Sequence, residues 1–267
     1  MKIDIDSLLE PIVDLAQTAG ERIMQVYRSE FAVAHKDDRS PLTEADTAAH
    51  DIIVAGLNAL TPNVPVLSEE DALVPFAKRS VWPWFWLVDP LDGTREFVKR
   101  NGEFTVNIAL IKGHQAVLGV IHVPVSEVSF MASQGQGAFR QERHGQPTPI
   151  KVRPWDGGRI TIAGSRSHND GKFDAFLAQF DDVELVNIGS SLKSCLVAEG
   201  KVDVYARFGP TSEWDTAAAQ CIVEEAGGSF TDMQLQPLRY NAKDSILNPN
   251  FLVFGDKSQD WQRYLSQ

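Results

Sequence analysis

The feature that most constrains this chain is a strongly apolar strand signal followed directly by an acidic turn. Residues 84–88 (WFWLV) are short, apolar and aromatic, a composition that favours a buried β-strand. Asp89 and Pro90 follow at once, and because proline cannot extend a hydrogen-bonded ladder, we expect the strand to stop there. The turn DPLDGT at residues 89–94 then brings two carboxylates to the end of the sheet, where side chains can converge on a ligand.

The first half of the chain, residues 1–150, combines helices with an antiparallel meander. The predicted elements are helices at 7–27 and 44–60 and strands at 84–88, 105–112, 116–123 and 128–132. Apolar residues at helical spacing give each helix one buried face, Thr43 is a plausible N-cap for the second helix, and Pro62 ends it. This half is predicted to be α+β.

The second half, residues 151–267, alternates strands with helices. The predicted strands are 160–164, 183–187 and 202–207, and the predicted helices are 172–179, 192–199 and 216–226. Such alternation indicates a layered α/β arrangement. No repeat or long linker separates the halves, so we expect one cooperative unit. Cys195 and Cys221 lack metal-type spacing and are expected to be reduced and buried in helices.

The net charge of the chain limits the classes of partner that it can bind. The 267 residues carry 36 acidic and 25 basic side chains, a formal net charge of −11, which argues against a nucleic-acid duplex as partner because duplex binding needs a basic surface. A small anionic substrate is compatible if cations or local Lys and Arg offset the repulsion. Acidic residues interrupt the first twelve positions, so neither a secretory signal nor a membrane span is expected. We expect a cytoplasmic protein, and peripheral association with the inner face of the cell membrane stays open.

Acidic side chains recur where strands end or helices begin. Glu69 lies in SEED at residues 68–71 after an apolar run, Asp89 and Asp92 flank the turn, and Asp215 opens a predicted helix. Each has an ordinary explanation taken singly: a solvated loop, a turn former, or a helix cap. Together they would supply acidic ligands from three segments, as in centres where two divalent cations activate water and polarise a phosphoryl oxygen. Zinc-type Cys/His spacing and a phosphate-binding GxxxxGK[ST] loop are both absent from the sequence.

Three ordered motifs carry a resemblance to a known superfamily. DPLDGT at 89–94, SEED at 68–71, and WDTAAA at 214–219 followed by EEAGG at 224–228 resemble the magnesium-dependent, lithium-sensitive phosphatases of the inositol monophosphatase superfamily. Segments 38–46, 95–107, 165–168 and 188–193 are most similar to its bacterial bisphosphate nucleotidase branch, with Arg95 and Leu42 standing where Lys and Val are usual. The resemblance implies an αβαβα layered sandwich with a metal cluster between the two halves. It also implies hydrolysis of the 3′-phosphate of adenosine 3′,5′-bisphosphate to AMP and phosphate, a reaction of sulfate assimilation.

The resemblance implies roles for individual residues. Two or three Mg²⁺ ions would be held by Glu69, Asp89, Asp92, Asp215 and the carbonyl of Leu91. Thr94 and Asp46 would form the pair that orients and helps to deprotonate the attacking water, with Glu69 and Asp38 as the other catalytic residues; Asp38 would hold the nucleophilic water or a further metal. The substrate would contact Gly93, Thr94, His168, Ser190, Lys193, Arg207 and Asp215.

Part of the substrate assignment also has a physical basis. Residues 189–191 precede a predicted helix whose first amides would form an anion site, and Lys193 lies one turn inside that helix. Trp82, Trp84 and Trp86 could stack an adenine, but their spacing by two on a strand indicates a structural role, which we assign to them.

Two alternatives of different kinds remain. An inositol monophosphatase or a sugar bisphosphatase would use the same metal centre on another substrate. A non-catalytic metal-binding or nucleotide-binding protein is the second alternative, but such proteins usually lose the water-activating residues, which this chain retains. The sequence reveals neither the oligomeric state nor how strictly one bisphosphate is preferred over sulfated nucleotides or inositol phosphates.

Overall fold

The protein folds into five layers that alternate helices and sheets. The computed structural model describes residues 3–28, 33–35, 41–143, 145–164 and 171–265. Two helices cover a seven-stranded sheet, two more lie between that sheet and a five-stranded one, and a further helix covers the outer face of the second sheet. This arrangement confirms the predicted αβαβα sandwich.

The seven-stranded sheet is formed by the first half of the chain. Its strands, in spatial order, are β3 (Val66–Ser68), β4 (Trp84–Asp92), β5 (Thr105–Lys112), β6 (Gln115–Val123), β7 (Val128–Ser133), β8 (Gly137–Glu142) and β9 (Thr148–Ile150). Only the pairing of β3 with β4 is parallel. The predicted antiparallel meander is therefore confirmed, and β8 and β9 extend it beyond the prediction.

The outer helices of this half follow the predicted apolar spacing. They are α1 (Leu9–Arg28), preceded by a 3₁₀ turn at Asp6–Leu8, and α2 (Glu44–Leu60). Ile12 and Ile23 of α1 and Ile53 of α2 are fully buried against the sheet. Two short strands, β1 (Val33–His35) and β2 (Pro41–Thr43), pair between these helices. Short helices α3 (Phe76–Arg79) and α4 (Thr94–Lys99) flank β4.

Strand β4 is buried on both faces, which explains its continuous apolar run. Trp84 and Trp86 contribute to the core beneath α1 and α2, whereas Phe85 and Leu87 contribute to the core on the other side of the sheet. Trp86 also donates its indole N–H to Thr61 Oγ1 at 2.8 Å. The structural role assigned to Trp84 and Trp86 is confirmed.

The five-stranded sheet is formed by the second half. Its spatial order is β11 (Val183–Asn187), β10 (Ile160–Gly164), β12 (Val204–Arg207), β14 (Phe251–Phe254) and β13 (Ser229–Asp232). Strands β11, β10 and β12 run parallel, and β14 is antiparallel to both of its neighbours. Phe173 and Phe176 of α5 (Gly171–Leu177) pack with Trp261 on the outer face.

The central layer joins the two sheets. Helices α6 (Leu192–Ala198) and α7 (Ala217–Glu225) are apolar on most sides because both faces are covered. Cys195 and Cys221 are buried in these helices, as predicted. Gly119 of β6 permits close approach of α7, since a Cβ there would lie 2.4 Å from the carbonyl oxygen of Ala218.

The predicted strand stop at Pro90 is wrong. Strand β4 continues to Asp92, but the pairing with β5 shifts register: Asp89 lies opposite Asn107 and Asp92 opposite Thr105, so two residues on β4 are matched by one on β5. Pro90 therefore lies in a bulge, where its missing N–H costs no ladder hydrogen bond. The bulge also places both carboxylates near the same end of the sheet.

Among the described residues, none of the helices has the length and apolar character needed to cross a membrane.

Candidate metal centre and adjoining pocket

Three carboxylates converge between the two sheets. Asp89, Asp92 and Asp215 each offer an oxygen, and these oxygens all lie within 4.8 Å of one another. The first two come from the bulged end of β4, and the third comes from the 3₁₀ helix Glu213–Asp215 in the second half. The predicted grouping of these three residues is therefore present.

Local geometry explains why the β4 turn presents two acids. The Leu91 N–H donates to Asp89 Oδ1 at 3.0 Å, which orients this carboxylate across the bulge. Gly93 then adopts φ +94°, a left-handed conformation in which a Cβ would lie 3.1 Å from the carbonyl oxygen of Glu103. Thr94 begins α4 there, with its hydroxyl 3.5 Å from the Leu91 carbonyl.

Asp215 combines the two roles that the sequence left open. Its Oδ2 accepts the backbone N–H of Ser212 at 3.0 Å, completing a capping box at the start of the 3₁₀ helix. The same carboxylate belongs to the convergent acidic group. Helix α7 begins two residues later, at Ala217, so Asp215 lies just before it rather than at its N-cap.

Burial and mutual repulsion perturb this acidic group. Burial is the largest factor that raises the pKa of Asp89, followed by the charges of Glu69, Asp92, Asp215 and Asp46. Burial also raises the pKa of Asp215, again followed by neighbouring carboxylates. Glu69 and Asp46 are thus electrostatic neighbours of the cluster: Glu69 follows β3, and Asp46 is buried in the first turn of α2.

The donor chemistry fits a hard divalent cation. The three side chains that the described part of the chain groups here all offer carboxylate oxygens, which Mg²⁺ and similar ions prefer. A cation would also remove the repulsion that raises the pKa of Asp89 and Asp215. The cluster can therefore hold the predicted type of metal ion.

A pocket of about 140 Å³ adjoins the carboxylates. Of the predicted substrate residues, it brings together Gly93, Ser190, Lys193, Arg207 and Asp215, and Asp92 also lines it. Arg95, Glu96 and Tyr205 also line it. The pocket thus places three cationic side chains, Arg95, Lys193 and Arg207, beside an acidic centre, an arrangement suited to an anionic ester with a divalent cation at its reacting end.

Lys193 is fixed by the backbone around it. Its ammonium donates to the carbonyl oxygens of Ser190 at 2.7 Å and Ile188 at 3.3 Å, and lies 5.3 Å from the Tyr205 ring centre. Burial lowers the pKa of Lys193 to about 8, while the charge of Asp92 opposes that shift. Arg207 donates to Thr211 Oγ1 at 3.0 Å and to the Pro210 carbonyl at 3.2 Å.

The predicted anion site at residues 189–191 takes a different form. The Gly189 N–H donates to Glu103 Oε2 at 2.8 Å, and the Ser191 N–H donates to Asp92 Oδ2 at 2.7 Å. Two of the three amides thus bind carboxylates of the protein itself, so they are not available to a phosphate. Ser190, between them, has φ +52° and lines the pocket.

Sequence reasoning missed the polar residues behind this turn. Thr105, Asn107 and Ser191 are buried and linked by hydrogen bonds to Asp92. The available signal was Thr105 and Asn107 spaced by two on an otherwise apolar strand. Asp38 and His168, two predicted site residues, lie outside the described residues, and Thr43 is described only by its backbone.

Comparison with known proteins gives a consistent result. Residues 4–262 match the model of the inositol monophosphatase family. The 3′(2′),5′-bisphosphate nucleotidase CysQ of Salmonella typhimurium is 49% identical over 248 residues, covering 92% of this chain and 99% of that protein. The crystal structure of CysQ from Bacteroides thetaiotaomicron superposes with a TM-score of 0.84 at 40% identity, covering 96% of this chain and 100% of that one. An inositol monophosphatase from Anabaena shares the fold, with a TM-score of 0.79 at 24% identity.

Proposed function

The chain belongs to the inositol monophosphatase family, and from this premise we propose that it is a 3′(2′),5′-bisphosphate nucleotidase. It hydrolyses the 3′-phosphate of adenosine 3′,5′-bisphosphate to AMP and phosphate. The observation that carries this proposal is that one and the same pocket is lined by Asp92 and Asp215 and by Lys193 and Arg207. Relatives named for this activity match nearly the whole chain at 38–49% identity, which supports it further.

We propose Mg²⁺ as the metal, with two or three ions at the centre. Glu69, Asp89, Asp92, Asp215 and the Leu91 carbonyl would hold them. When bound, such ions polarise a phosphoryl oxygen and lower the pKa of a coordinated water. The first four residues also set the charge of the site, and their neighbouring charges add to burial in raising the pKa of Asp89 and Asp215.

The chain's own residues would position the water and accept its proton. We assign this role to Thr94 and Asp46: the hydroxyl of Thr94 can accept a hydrogen bond from water while passing its own proton toward a carboxylate. Thr94 lies at the start of α4 beside the bulge, and Asp46 is buried within electrostatic reach of Asp89. Glu69 and Asp38 complete the proposed catalytic group, and Asp38 lies outside the described residues.

The proposed substrate contacts divide between the two halves, residues 1–150 and 151–267. Gly93 and Thr94 come from the first half, and Ser190, Lys193, Arg207 and Asp215 come from the second; His168, also from the second half, is outside the described residues. Lys193 and Arg207 supply the positive charge that an anionic nucleotide needs in an otherwise acidic site. The cytoplasmic location and any association with the inner face of a membrane stay predictions.

Phosphate release tests the proposal directly. Adenosine 3′,5′-bisphosphate and inositol 1-phosphate would be compared side by side with Mg²⁺, and then with Li⁺ or EDTA added. We expect Mg²⁺-dependent release from the nucleotide, little from the inositol ester, and loss of activity with either addition. Preference for the inositol ester or a sugar bisphosphate would overturn the substrate assignment and keep the metal centre. Turnover of none of these substrates would support the non-catalytic binding alternative.

A further inference from the structure

A continuous chain of buried hydrogen bonds connects the metal centre with the pocket. From the metal side, Ser191 Oγ lies 2.8 Å from Asp92 Oδ2 and 3.0 Å from Asn107 Nδ2. Asn107 Oδ1 lies 2.9 Å from Thr105 Oγ1, which in turn lies 2.8 Å from Ser190 Oγ. Thr105 and Asn107 are 0% and 1% exposed, so water does not compete for these hydrogen bonds. Ser190, at the far end, lines the pocket, as do Asp92 and Ser191, whereas Thr105 and Asn107 lie behind the lining residues.

The carboxylate of Asp92 fixes the direction of every hydrogen bond in this chain. An ionised carboxylate only accepts, and the alternative partner of Ser191 Oγ, the Asp215 carbonyl oxygen at 2.9 Å, also only accepts. The Ser191 hydroxyl must therefore donate toward them, which leaves its oxygen to accept from the amide nitrogen of Asn107. The carbonyl oxygen of that amide then faces Thr105, whose single hydroxyl proton is used there. Ser190 must consequently donate its proton to Thr105.

This ordering determines what Ser190 offers to a ligand. With its proton directed at Thr105, Ser190 Oγ presents only lone pairs toward the pocket. Its oxygen would repel a phosphate oxygen and attract a hydrogen-bond donor. The positive φ of Ser190 and the hydrogen bond from Lys193 Nζ to its carbonyl hold the residue in this orientation.

We propose that Thr105 and Asn107 are positioning residues that make Ser190 a hydrogen-bond acceptor for the substrate and orient Asp92 for the metal. The first part rests on the proposed nucleotidase function. A nucleoside bisphosphate carries two kinds of uncharged donor, the ribose hydroxyl and the exocyclic amine of the base. One of these donors forms a hydrogen bond to Ser190 Oγ, while Lys193 and Arg207 bind the anionic phosphate groups.

Substrate analogues test the acceptor role. Wild type and two variants, Thr105→Val and Thr105→Ser, would be assayed on adenosine 3′,5′-bisphosphate, on its 2′-deoxy analogue, and on the analogue lacking the 6-amino group. We expect the wild type to discriminate against one analogue by about three- to tenfold in kcat/KM, the range of one neutral hydrogen bond. The affected analogue identifies the donor.

The matched pair of variants distinguishes positioning from packing. Thr105→Val keeps the shape of the side chain but removes the hydroxyl, so the discrimination should fall to less than about twofold, mainly through KM for the natural substrate. Thr105→Ser keeps the hydroxyl and should restore the wild-type ratio. Wild type that discriminates against neither analogue, or a Thr105→Val protein with an unchanged ratio, would overturn the acceptor role.

Metal binding provides a readout that needs no substrate. Mn²⁺ would be titrated into wild type, Asn107→Leu and Ser191→Ala, with free Mn²⁺ followed by electron paramagnetic resonance. Loss of the hydrogen bond that orients a ligand should weaken Mn²⁺ binding by about tenfold or more. Ser191→Ala removes one hydroxyl only and keeps the test available if Asn107→Leu fails to fold. Unchanged affinity in a folded variant would overturn the role toward Asp92, and failure of the wild type to cleave any nucleotide would overturn only the proposed function.

Discussion

Ser191 donates both its backbone N–H and its hydroxyl to a single oxygen of Asp92, at 2.7 and 2.8 Å. The two residues are 99 positions apart and lie in different halves of the chain. A carboxylate of the first half is thus oriented by the second half before any cation binds. Asp215, from the second half, completes the acidic group, so the centre depends on both halves being correctly packed.

The substitution Asp92→Asn should abolish activity without unfolding the protein. The amide oxygen can still accept from Ser191, but the charge that attracts a cation is lost, and we expect kcat to fall on the order of a thousandfold, the equivalent of several kcal/mol. Circular dichroism should be unchanged, and the metal-free melting temperature should not fall, because the repulsion on Asp89 and Asp215 is reduced. Activity within tenfold of wild type would contradict this assignment of Asp92.

Mg²⁺ should stabilise the folded protein, since the acidic cluster is assembled only in the folded state. At a concentration a hundred times the dissociation constant, a single bound ion stabilises by about 2.7 kcal/mol, which would be measured as a higher Tm than in EDTA. The double variant Asp89→Asn, Asp215→Asn should lose most of this increase. An equal increase in the variant would indicate that the ion binds elsewhere.

The helices and strands were predicted correctly where residues close together in the sequence determine them. Helix α2 matches its predicted bounds and β5 does too, because their apolar spacing, turn residues and Pro62 act within a few positions. Strands β13 and β14 were missed because each has only four residues and they pair with each other from distant parts of the chain, whereas β8 and β9 were missed because their sequences carry few apolar residues. The stop expected at Pro90 was wrong for a related reason: only the register against β5 creates the bulge that tolerates proline.

The candidate site, like the fold, was predicted from the sequence only in part. Acidic residues at the ends of elements were sufficient to predict that Asp89, Asp92 and Asp215 converge, and the structure confirms this. The role of Ser191 was not predictable, since it depends on a loop of the second half meeting a strand of the first. The same tertiary contact places protein carboxylates on the amides of Gly189 and Ser191, where the local sequence indicated an anion site.

Lys193→Met should weaken substrate binding more than it slows the chemical step. Methionine retains much of the apolar volume that packs near Tyr205 but removes the ammonium, and we expect KM to rise by about ten- to a hundredfold, as for a charge-assisted hydrogen bond of roughly 1.5–3 kcal/mol. Steady-state kinetics on adenosine 3′,5′-bisphosphate provide the measurement. Lys112→Met, at an exposed lysine outside the pocket, is the control and should leave KM unchanged. Equal KM values for Lys193→Met and wild type would exclude Lys193 from substrate binding.

Gly93→Ala should lower kcat, an effect that the backbone strain of an alanine at positive φ does not produce by itself. Gly93 has φ +94°, and an added Cβ would press on the Glu103 carbonyl at 3.1 Å, so the chain between Asp92 and Thr94 must move. Gly113 is the matched control: it has φ +61° and open space around a Cβ. Both variants should lose about 1 kcal/mol of stability in urea titrations, the cost of a left-handed non-glycine residue. Only Gly93→Ala should also lower kcat, and equal kcat values for the two variants would contradict this.

Stability should depend on pH through His122, a residue remote from the proposed reaction. The residue is 4% exposed, and its Nδ1 lies 2.9 Å from Ser129 Oγ. Burial lowers the pKa of His122 from 6.5 to about 4, so the folded state favours the neutral ring. In the unfolded chain, His122 binds a proton near pH 6.5. The contribution of the neutral ring to the free energy of unfolding is therefore fully present above that pH and is lost as pH falls from 6.5 toward 4.

The loss attributable to His122 should reach about 2 kcal/mol at pH 5, since pH 5 lies between the pKa of 6.5 in the unfolded chain and the pKa of about 4 in the folded protein. Urea unfolding at pH 7.5 and pH 5 would measure it against His122→Asn, whose amide can occupy the position of Nδ1 opposite Ser129. The smaller side chain leaves space beside Gly20 and should lower stability at both pH values. The change in the free energy of unfolding of His122→Asn between pH 7.5 and pH 5 should nevertheless be about 2 kcal/mol smaller than that of wild type. The same difference in both proteins would mean that the decline comes from other groups, since the loss of packing beside Gly20 does not depend on pH.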